Sequence, residues 1–269
     1  MKNGFKITLP TMEEKTIKIM KEAARAGGGM VKKYFGGILE VIPKTTAADF
    51  KTKADMESER EIVTLLSGAF PEYNILSEES DYRDNGSGYT FIIDPLDGTN
   101  NFFLGVPYVS VAVALMKDEE TLVSVIHDPF HDLTYHAVKN GGSFLNGSKI
   151  VVNKLEDVDQ CTISYACSYN TAHNKKREDY SHIVDLHPKR AMSLWSPSRD
   201  FALLASGKIE AVVFNNPELY DYIPGKLLAA EAGALITKWD GEKDQCKNSE
   251  FIASNGTGIH AKIIQALNK

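Results

Sequence analysis

Apolar residues recur along the chain at two different spacings, which predict two kinds of element. Helix-like spacing, with apolar residues three and four positions apart, falls on residues 11–35, 55–66, 197–206, 222–232 and 257–267. Shorter apolar runs of the strand type fall near residues 89–93, 108–116, 121–127, 132–138, 161–166, 190–194, 209–214, 234–237 and 250–254. Thr11 and Glu14 have the spacing of a capping box, which predicts the start of the first helix.

The order of these elements indicates how they pack. Two helices come first, with an extended or loop segment (38–54) between them. A largely antiparallel meander follows and ends in a hairpin-like turn at 139–147. The remaining strands alternate with helices, a pattern typical of helices stacked on sheets in layers. We therefore predict one domain over 1–269, which consists of an N-terminal half (1–150) and a C-terminal half (151–269) without a clear boundary between them.

Composition narrows the class of protein. Apolar residues make up 43% and charged residues 25%, values that are ordinary for a soluble globular protein. The net charge of −6 argues against a nucleic acid polymer or an anionic membrane as partner. A phosphorylated small molecule stays possible if a metal ion reverses the local field. No apolar run approaches the ~20 residues of a membrane helix, and the first residues lack the apolar core of a signal peptide.

The three cysteines, Cys161, Cys167 and Cys246, have neither metal-site spacing nor the even number of a disulfide framework. Reduced thiols are typical of the cytosol, so we expect a cytoplasmic protein.

The segment FIIDPLDGTNNF, residues 91–102, joins an apolar strand to two carboxylates. One interpretation is a β-turn, because Pro-Leu-Asp-Gly is good turn chemistry. The other is a metal site, because Asp94, Asp97 and the backbone carbonyl between them supply the hard oxygen donors that Mg²⁺ binds. The end of an interior strand is also where layered α/β proteins bind ligands. If Thr99 opens a short helix, the backbone N–H groups at its start could hold a phosphate.

An aspartate-nucleophile phosphatase is the nearest competing motif. Its two aspartates, in the pattern D-x-D-G-T, are two positions apart and face the same way from an extended chain. Asp94 and Asp97 are three apart, so they converge only if the chain turns at Pro95 and Leu96. That spacing favours a metal turn over a nucleophile.

Two further acidic sites have a plain and a functional interpretation. Glu78 and Glu79 form either a solvated pair at a strand end or a source of one more metal ligand. Asp221 precedes an apolar helical pattern, so it is either a helix N-cap or another ligand.

These residues together resemble the inositol monophosphatase family, within a wider group that includes fructose-1,6-bisphosphatases and nucleotide 3′-phosphatases. The family pattern D-P-[LI]-D-G-T-x-N-F is filled at every fixed position by residues 94–102. A Glu-Glu-Ser segment lies about fifteen residues upstream, and GGSFLNG (141–147) resembles the family's glycine-rich hairpin. Asp221 with the later EAGA (231–234) resembles its C-terminal motif. The resemblance runs from about residue 12 to 265.

The resemblance implies an α/β (α+β) fold with α-β-α-β-α layers and a Mg²⁺ site of two or three ions, with Mn²⁺ as a substitute. Its metal ligands would be Glu78, Asp94, the Leu96 carbonyl, Asp97 and Asp221. Its phosphate and substrate contacts would be Gly98, Thr99, Lys44 and Asp221. Its catalytic residues would be Asp55, Thr99 and Glu78, with Asp55 and Thr99 orienting the attacking water.

The implied activity is hydrolysis of a small phosphate ester, such as an inositol phosphate or a related sugar phosphate, by direct water attack. The family is commonly dimeric and inhibited by lithium. Alternative substrates are a 3′-phosphonucleotide, histidinol phosphate or fructose 1,6-bisphosphate. A non-catalytic regulator that binds metal or phosphosugar is the alternative of another class.

Some segments depart from the family pattern and put inositol itself in doubt. Residues 194–200 (LWSPSRD) replace a Gly-Ser/Thr-Ala-Ala segment that lines the substrate side. The glutamate that binds inositol hydroxyls falls, by spacing, on Phe214 or Asn215. Arg199 or Lys226 could face a second anionic group, or could form a surface salt bridge. Pro224 is expected in the first turn of its helix, where a missing N–H costs little.

Overall fold

The computed structural model describes residues 12–37, 40–45 and 49–269, and its elements are numbered here in chain order. The α-helices within these ranges are α1 (Met12–Tyr34), α2 (Lys53–Ala69), α3 (Thr99–Phe103), α4 (His173–Val184), α5 (Pro197–Ala205), α6 (Leu219–Glu231) and α7 (Ile259–Leu267). The predicted cap at Thr11 lies outside the described residues. No described helix is both long enough and apolar enough to pass through a membrane.

The strands of the described residues form three sheets. A short antiparallel pair consists of β1 (Val41–Pro43) and β2 (Phe50–Thr52). The largest sheet contains β3 (Asn74–Ser77), β4 (Tyr89–Asp97), β5 (Ser110–Lys117), β6 (Glu120–Asp128), β7 (Leu133–Val138), β8 (Gly142–Leu145) and β9 (Ser148–Ile150). The third contains β10 (Thr162–Cys167), β11 (Arg190–Met192), β12 (Ala211–Asn215), β13 (Leu235–Lys238) and β14 (Glu250–Ser254).

The large sheet keeps its strands in chain order from β3 to β9. Strands β4 to β9 pair antiparallel with their neighbours, which confirms the predicted meander, and β3 joins β4 in parallel. The last hairpin turns at Asn146 and Gly147, whose φ angles of 47° and 86° suit these residue types. The smaller sheet is mixed, in the order β11-β10-β12-β14-β13, with β10 parallel to both of its neighbours.

Helices α1 and α2 cover one face of the large sheet, and strand β5 shows why the sheet is covered on both faces. Successive side chains of a strand point to opposite faces. Val111, Val113 and Leu115 are buried in the core with α1 and α2. Ala112 and Ala114 are buried in a second core on the other face. A continuous apolar strand is therefore satisfied on both sides.

The second core contains α5 and α6 and lies between the two large sheets, where Phe201, Phe214 and Phe251 form an aromatic stack. Helices α4 and α7 cover the outer face of the smaller sheet, with Ile183 and Ile263 in a third core. The layers are therefore α-β-α-β-α, as predicted. The second core takes residues from both 1–150 and 151–269. The single domain over 1–269 and its division at residue 150 stay predictions.

The sequence prediction missed α4 and misplaced the start of α6. Helix α4 is mostly polar, and of its residues only Asp179 and Ile183 are fully buried. Its sequence therefore shows little apolar periodicity. Helix α6 begins at Leu219, so Pro224 lies inside the helix and not in its first turn. The next residue, Gly225, packs closely against Phe201, since a Cβ at residue 225 would lie 1.9 Å from the Phe201 ring.

Candidate active site

Strand β4 carries Asp94 and Asp97 on either side of a β-bulge. Asp94 pairs with Ala112 and Asp97 with Ser110, so β4 has one more residue than β5 between these two pairs. The Asp94 carboxylate accepts a hydrogen bond from Leu96 N at 3.1 Å, and Ser58 Oγ of α2 donates to the carbonyl of Pro95 at 2.7 Å. The bulge is the turn that the three-residue spacing required. It lies within a strand that extends to Asp97, beyond the predicted end at residue 93.

Gly98 and Thr99 follow the bulge and open α3. Gly98 has a φ of 93°, and a Cβ there would lie 3.1 Å from the carbonyl oxygen of Tyr108, so a side chain is disfavoured twice. Thr99 begins the short helix, as predicted. Its hydroxyl lies 2.9 Å from Asp55 Oδ1 and 3.1 Å from the carbonyl of Leu96.

Asp55 reaches this hydroxyl from the first turn of α2. Its other carboxylate oxygen accepts from the backbone N–H of Thr52 at 2.7 Å and from the Thr52 hydroxyl at 2.5 Å. Thr52 Oγ1 in turn accepts from Ala54 N, which completes a capping box. The helix cap therefore fixes the orientation of Asp55 toward Thr99.

Glu78 arrives from the strand beside β4. Its backbone N–H donates to the carbonyl of Ile93 at 3.1 Å, which extends the β3–β4 pairing and sets Glu78 next to Asp94. Lys44, from the segment between β1 and β2, donates to Glu78 Oε1 at 2.8 Å and also bonds Glu79. Glu79 also pairs with Lys51 of β2 at 3.5 Å. Glu79 thus ties this segment to the end of β3.

Asp221 lies in the first turn of α6 and is not its N-cap, which is Glu218. The Asp221 carboxylate accepts from the backbone N–H of Glu218 at 2.8 Å. Here too a first-turn acid is oriented by a backbone donor just before the helix.

One cavity of about 280 Å³ brings most of the predicted residues together. Those that line it are Lys44, Glu78, Asp94, Leu96, Asp97, Gly98, Thr99 and Asp221. Asp55 is fully buried and lies behind Thr99, with which it makes contact.

Burial, together with neighbouring carboxylates, raises the pKa values of the clustered acidic groups. Burial, with the charges of Glu78 and Asp97 nearby, raises the pKa of Asp94 well above its usual range. Burial, again with Glu78 close by, does the same to the pKa of Asp221. Burial raises the pKa of Asp97 to about 7 and that of Asp55 to about 6, against the hydrogen bonds that each accepts. A cavity that disfavours its own negative charge attracts a cation.

The donor set fits a divalent hard cation. Asp97 Oδ1 is buried without a hydrogen-bond partner, so this oxygen is left available as a ligand. Within the described ranges, no three His, Cys, Asp or Glu side chains are already arranged to hold a metal ion. Mg²⁺ does not require such a cage, because it usually keeps several waters and binds phosphate oxygens beside one or two carboxylates.

The model of the inositol monophosphatase family matches residues 12–269. The chain belongs to this family. A Thermotoga maritima protein named fructose-1,6-bisphosphatase/inositol-1-monophosphatase is 28% identical over 254 residues, covering 94% of each chain. A Xylella fastidiosa protein named Nus factor SuhB is 30% identical and covers 93% of this chain and 94% of its own. The crystal structure of an extragenic suppressor protein SuhB from Bartonella henselae has a TM-score of 0.89 at 28% identity, covering 95% and 99% of the two chains.

Membership of the inositol monophosphatase family makes the protein a phosphatase that hydrolyses phosphoric monoesters. The position of the family's hydroxyl-binding glutamate falls, by spacing, on Phe214 or Asn215. Phe214 lies in the aromatic core, and Asn215 is buried and donates to Asp179 at 2.5 Å, so neither lines the cavity. The family's hydroxyl-binding glutamate therefore has no counterpart at these two positions.

Arg199 and Lys226 do not face a second anion, and neither forms a surface salt bridge. Arg199 is buried against Asp128, with its nitrogen 2.8 Å from the carboxylate. Lys226 is buried against Asp244 at 2.9 Å and also donates to backbone carbonyls. Each buried cation is therefore neutralised by its own carboxylate, as a buried charge requires.

The sequence did not predict several residues of the site, among them two serines and two aromatic residues. Ser110 and Ser196 donate to Asp97 Oδ2 at 2.8 and 2.5 Å, and Ser196 comes from the divergent segment 194–200. Tyr169 and Trp195 line the cavity as a stacked pair. Ser196 before Pro197 predicts a helix start, but only the fold brings its hydroxyl to β4.

Proposed function

We propose that this protein is a Mg²⁺-dependent phosphomonoesterase that hydrolyses a small phosphorylated metabolite by direct attack of water. One observation carries the proposal: Glu78, Asp94, Asp97 and Asp221 come from three separate elements and converge on one cavity. Such a cluster is costly unless cations compensate it, so its assembly is explained by metal binding.

The metal ligands that we propose are Glu78, Asp94, the Leu96 carbonyl, Asp97 and Asp221, for two or three ions. When bound, Mg²⁺ supplies Lewis-acid chemistry that polarises the phosphoryl oxygens and activates water. Phosphoryl transfer leaves a protein mainly the tasks of positioning and charge neutralisation. The serines around Asp97 serve the first task, because their hydrogen bonds fix the orientation of that carboxylate.

Thr99 and Asp55 orient the nucleophile. A hydroxyl donates one hydrogen bond, and the Thr99 hydroxyl lies 2.9 Å from the Asp55 carboxylate. The oxygen of Thr99 then accepts a hydrogen bond from the attacking water, which points a lone pair of the water toward phosphorus. Asp55 draws the proton of Thr99 toward itself and so strengthens the oxygen of Thr99 as an acceptor.

Phosphate binds, in this proposal, at the backbone N–H groups of Gly98 and Thr99. Both residues line the cavity at the start of α3, where the first backbone N–H groups of a helix have no partner within the helix. Lys44 lies among the same cavity residues, where its ammonium group pairs with Glu78 and Glu79. It offsets negative charge at the point where the phosphate dianion enters.

A monophosphate is favoured over a bisphosphate. Among the described residues that line the cavity, Lys44 supplies the cationic side chain, and its ammonium group is engaged by two carboxylates. Arg199 and Lys226, the other candidates, are buried in pairs of their own. We therefore expect inositol monophosphate or another sugar monophosphate to be hydrolysed faster than fructose 1,6-bisphosphate.

The decisive experiment is hydrolysis of a broad panel of phosphomonoesters with Mg²⁺, with Mn²⁺ and with chelator. Metal-dependent turnover that Asp94→Asn abolishes supports the proposal. Asp240→Asn is the matched control, since Asp240 is exposed and holds a turn away from the cavity. Turnover that survives in Asp94→Asn would refute the metal assignment.

The same experiment separates the two alternatives. An aspartate nucleophile would leave a trappable phosphoaspartyl enzyme, whereas direct water attack leaves none. A non-catalytic regulator would bind metal and phosphosugar without any turnover across the panel. We also expect Li⁺ to inhibit turnover, as it commonly does in this family.

We propose further that the protein acts in the cytoplasm as a homodimer. The three cysteines are free thiols, which suits a reducing compartment. Exposed apolar side chains of Phe103, Leu104, Val106 and Leu194 form a patch suited to a subunit interface, and Asn101 joins its two segments by donating to the carbonyl of Leu194. Sedimentation should give a dimer, and Leu104→Glu should give a monomer; a wild-type monomer would refute the dimer.

A further inference from the structure

Tyr169 and Trp195 form an aromatic wall in the cavity. Their rings are stacked with centroids 5.2 Å apart and an angle of 18° between planes, and both residues line the cavity. They come from different segments, Tyr169 from the β10–α4 loop and Trp195 from the segment between β11 and α5. Offset stacking of this kind favours rigid, flat arrangements that a further ring can join.

The wall is held in place from both sides. The Tyr169 hydroxyl accepts from Asn100 Nδ2 at 2.7 Å, one residue along the chain from Thr99. Lys176 donates to the carbonyl of Tyr169 at 3.1 Å, and its ammonium lies 5.6 Å from the centre of the Trp195 ring, within cation–π range. The aromatic surface is therefore fixed beside the residue proposed to orient the water.

Trp195 occupies its place at an energetic cost. Its φ angle is 53°, a left-handed conformation that is a genuine outlier for a bulky side chain. The side chain is 38% exposed, so burial in the core does not offset this strain. Strained residues of this kind cluster at ligand-binding sites. Here the strained backbone conformation of Trp195 places a flat indole surface at the cavity.

We propose that Tyr169 and Trp195 determine specificity by stacking against a planar ring in the leaving group, so that the preferred substrates are monophosphates of ring-bearing alcohols such as nucleosides. This inference rests on the proposed phosphatase function and names its substrate class. Aromatic faces bind nucleobases by stacking without reading their edges, so we expect tolerance among different bases.

The test compares esters that differ only in the ring. Adenosine 2′-, 3′- and 5′-monophosphates are each compared with the phosphate of methyl ribofuranoside esterified at the same position, and inositol 1-phosphate is included. For at least one position we expect kcat/KM to be about 10-fold or more higher for the base-bearing ester, mainly through KM. Equal values at every position, or a higher value for inositol 1-phosphate than for every base-bearing ester, would overturn the inference.

Trp195→Gly is the sharpest variant, because glycine adopts the same backbone conformation without strain. It should fold, since the change removes the backbone strain, and it should lose the preference, with the ratio of the two kcat/KM values falling toward one. Trp195→Phe should keep most of the preference. Tyr82→Ala removes an aromatic side chain that is 50% exposed outside the cavity and should leave the ratio unchanged. A preference that survives in Trp195→Gly would contradict the assignment.

Fluorescence gives a reading that does not depend on turnover. The chain has two tryptophans, so in the Trp239→Phe variant the emission reports on Trp195. Adenosine, titrated with Mg²⁺ and inorganic phosphate, should change that emission, and methyl ribofuranoside should not. If no ester is hydrolysed with any metal, the proposed function fails. If esters are hydrolysed without a preference for the ring, or if adenosine leaves the emission unchanged, only the stacking inference fails.

Discussion

Thr99 and Asp55 are 44 residues apart in the chain, and the hydroxyl of one lies 2.9 Å from the carboxylate of the other. Two local motifs meet in this contact. The β-bulge at the end of β4 delivers Thr99, and the capping box of α2 orients Asp55. The position of this proposed catalytic pair therefore depends on how α2 packs against the large sheet.

Removing either partner of this pair should slow catalysis by about 100-fold or more in kcat, the usual contribution of a positioned acid–base group. Asp55→Asn and Thr99→Ala are the variants, and Thr99→Ser, which keeps the hydroxyl, is the control that should stay within a few-fold of the wild type. Because the two residues act as a unit, the double variant should be no slower than the worse single one. Strictly multiplicative losses would show that they act independently.

The sequence predicts the layers well because each buried face has a strong periodic signal. Strand β5 alternates between two cores, and every helix with a clear apolar stripe was found. Helix α4 was missed because its surface is almost entirely polar. Pairings between distant segments were out of reach for another reason. Nothing in the chain near Arg199 of α5 indicates that Asp128, at the end of β6, neutralises it.

The site was predicted through a local motif, and its substrate side was not. The local sequence of residues 94–99 predicts its own geometry. The spacing of the two aspartates requires a turn between them, and Gly98 suits the left-handed conformation that follows. Tyr169 and Trp195 lie in separate loops, and each alone resembles any other surface aromatic residue. Only the fold shows that they stack at the cavity.

Asp94→Asn should stabilise the metal-free protein while it abolishes turnover. Burial and neighbouring carboxylates raise the pKa of Asp94 well above its usual range, so the ionised group costs free energy in the folded state at neutral pH. Removing that charge should raise the free energy of unfolding of the metal-free protein. Thermal unfolding with chelator measures the gain.

Addition of Mg²⁺ gives the complementary measurement. Saturating Mg²⁺ should raise the Tm of the wild type, because a ligand that binds only the folded state stabilises it. The increase should be much smaller in Asp94→Asn and unchanged in Asp240→Asn. If Asp94→Asn were less stable than the wild type in chelator, Asp94 would serve mainly as a structural hydrogen-bond acceptor.

The stability of the metal-free protein should fall as the pH rises from 6.5 to 8. Burial raises the pKa of Asp97 and of Glu79 to about 7 each. The pKa values of these two groups are higher in the folded state than in the unfolded state, so the folded state binds more protons. Proton binding therefore stabilises the folded state. This contribution is complete below about pH 4 and is lost as the pH rises through about 7. Chemical denaturation in chelator across this range measures the slope.

Two features isolate this effect. Burial lowers the pKa values of His127 and His136 to about 4, so these groups cost stability only as the pH falls below about 6.5. Saturating Mg²⁺ favours the ionised carboxylates and should remove the slope, and Asp97→Asn should reduce it in chelator. A free energy of unfolding that rises with pH in chelator would show that these carboxylates are ionised without a metal.

Gly225→Ala tests whether the packing of α6 against the core determines the position of Asp221, which α6 contributes to the site. A methyl group at residue 225 would lie 1.9 Å from the ring of Phe201, which is fixed in the aromatic stack with Phe214. We expect a loss of roughly 3 kcal/mol in the free energy of unfolding, the upper range for overpacking. Because α6 carries Asp221 in its first turn, the variant should also need more Mg²⁺ for half-maximal activity.

Gly68→Ala is the matched control, since a methyl group at residue 68 of α2 meets nothing within 4 Å. Alanine has the better helix propensity, so this variant should gain about 0.5–1 kcal/mol and leave the Mg²⁺ dependence unchanged. Phe201→Leu in the Gly225→Ala background should recover part of the lost stability by making room for the methyl group. If Gly225→Ala lost stability while its Mg²⁺ dependence stayed that of the wild type, Asp221 would be positioned by its capping bond to Glu218 and not by the seating of α6 on the core.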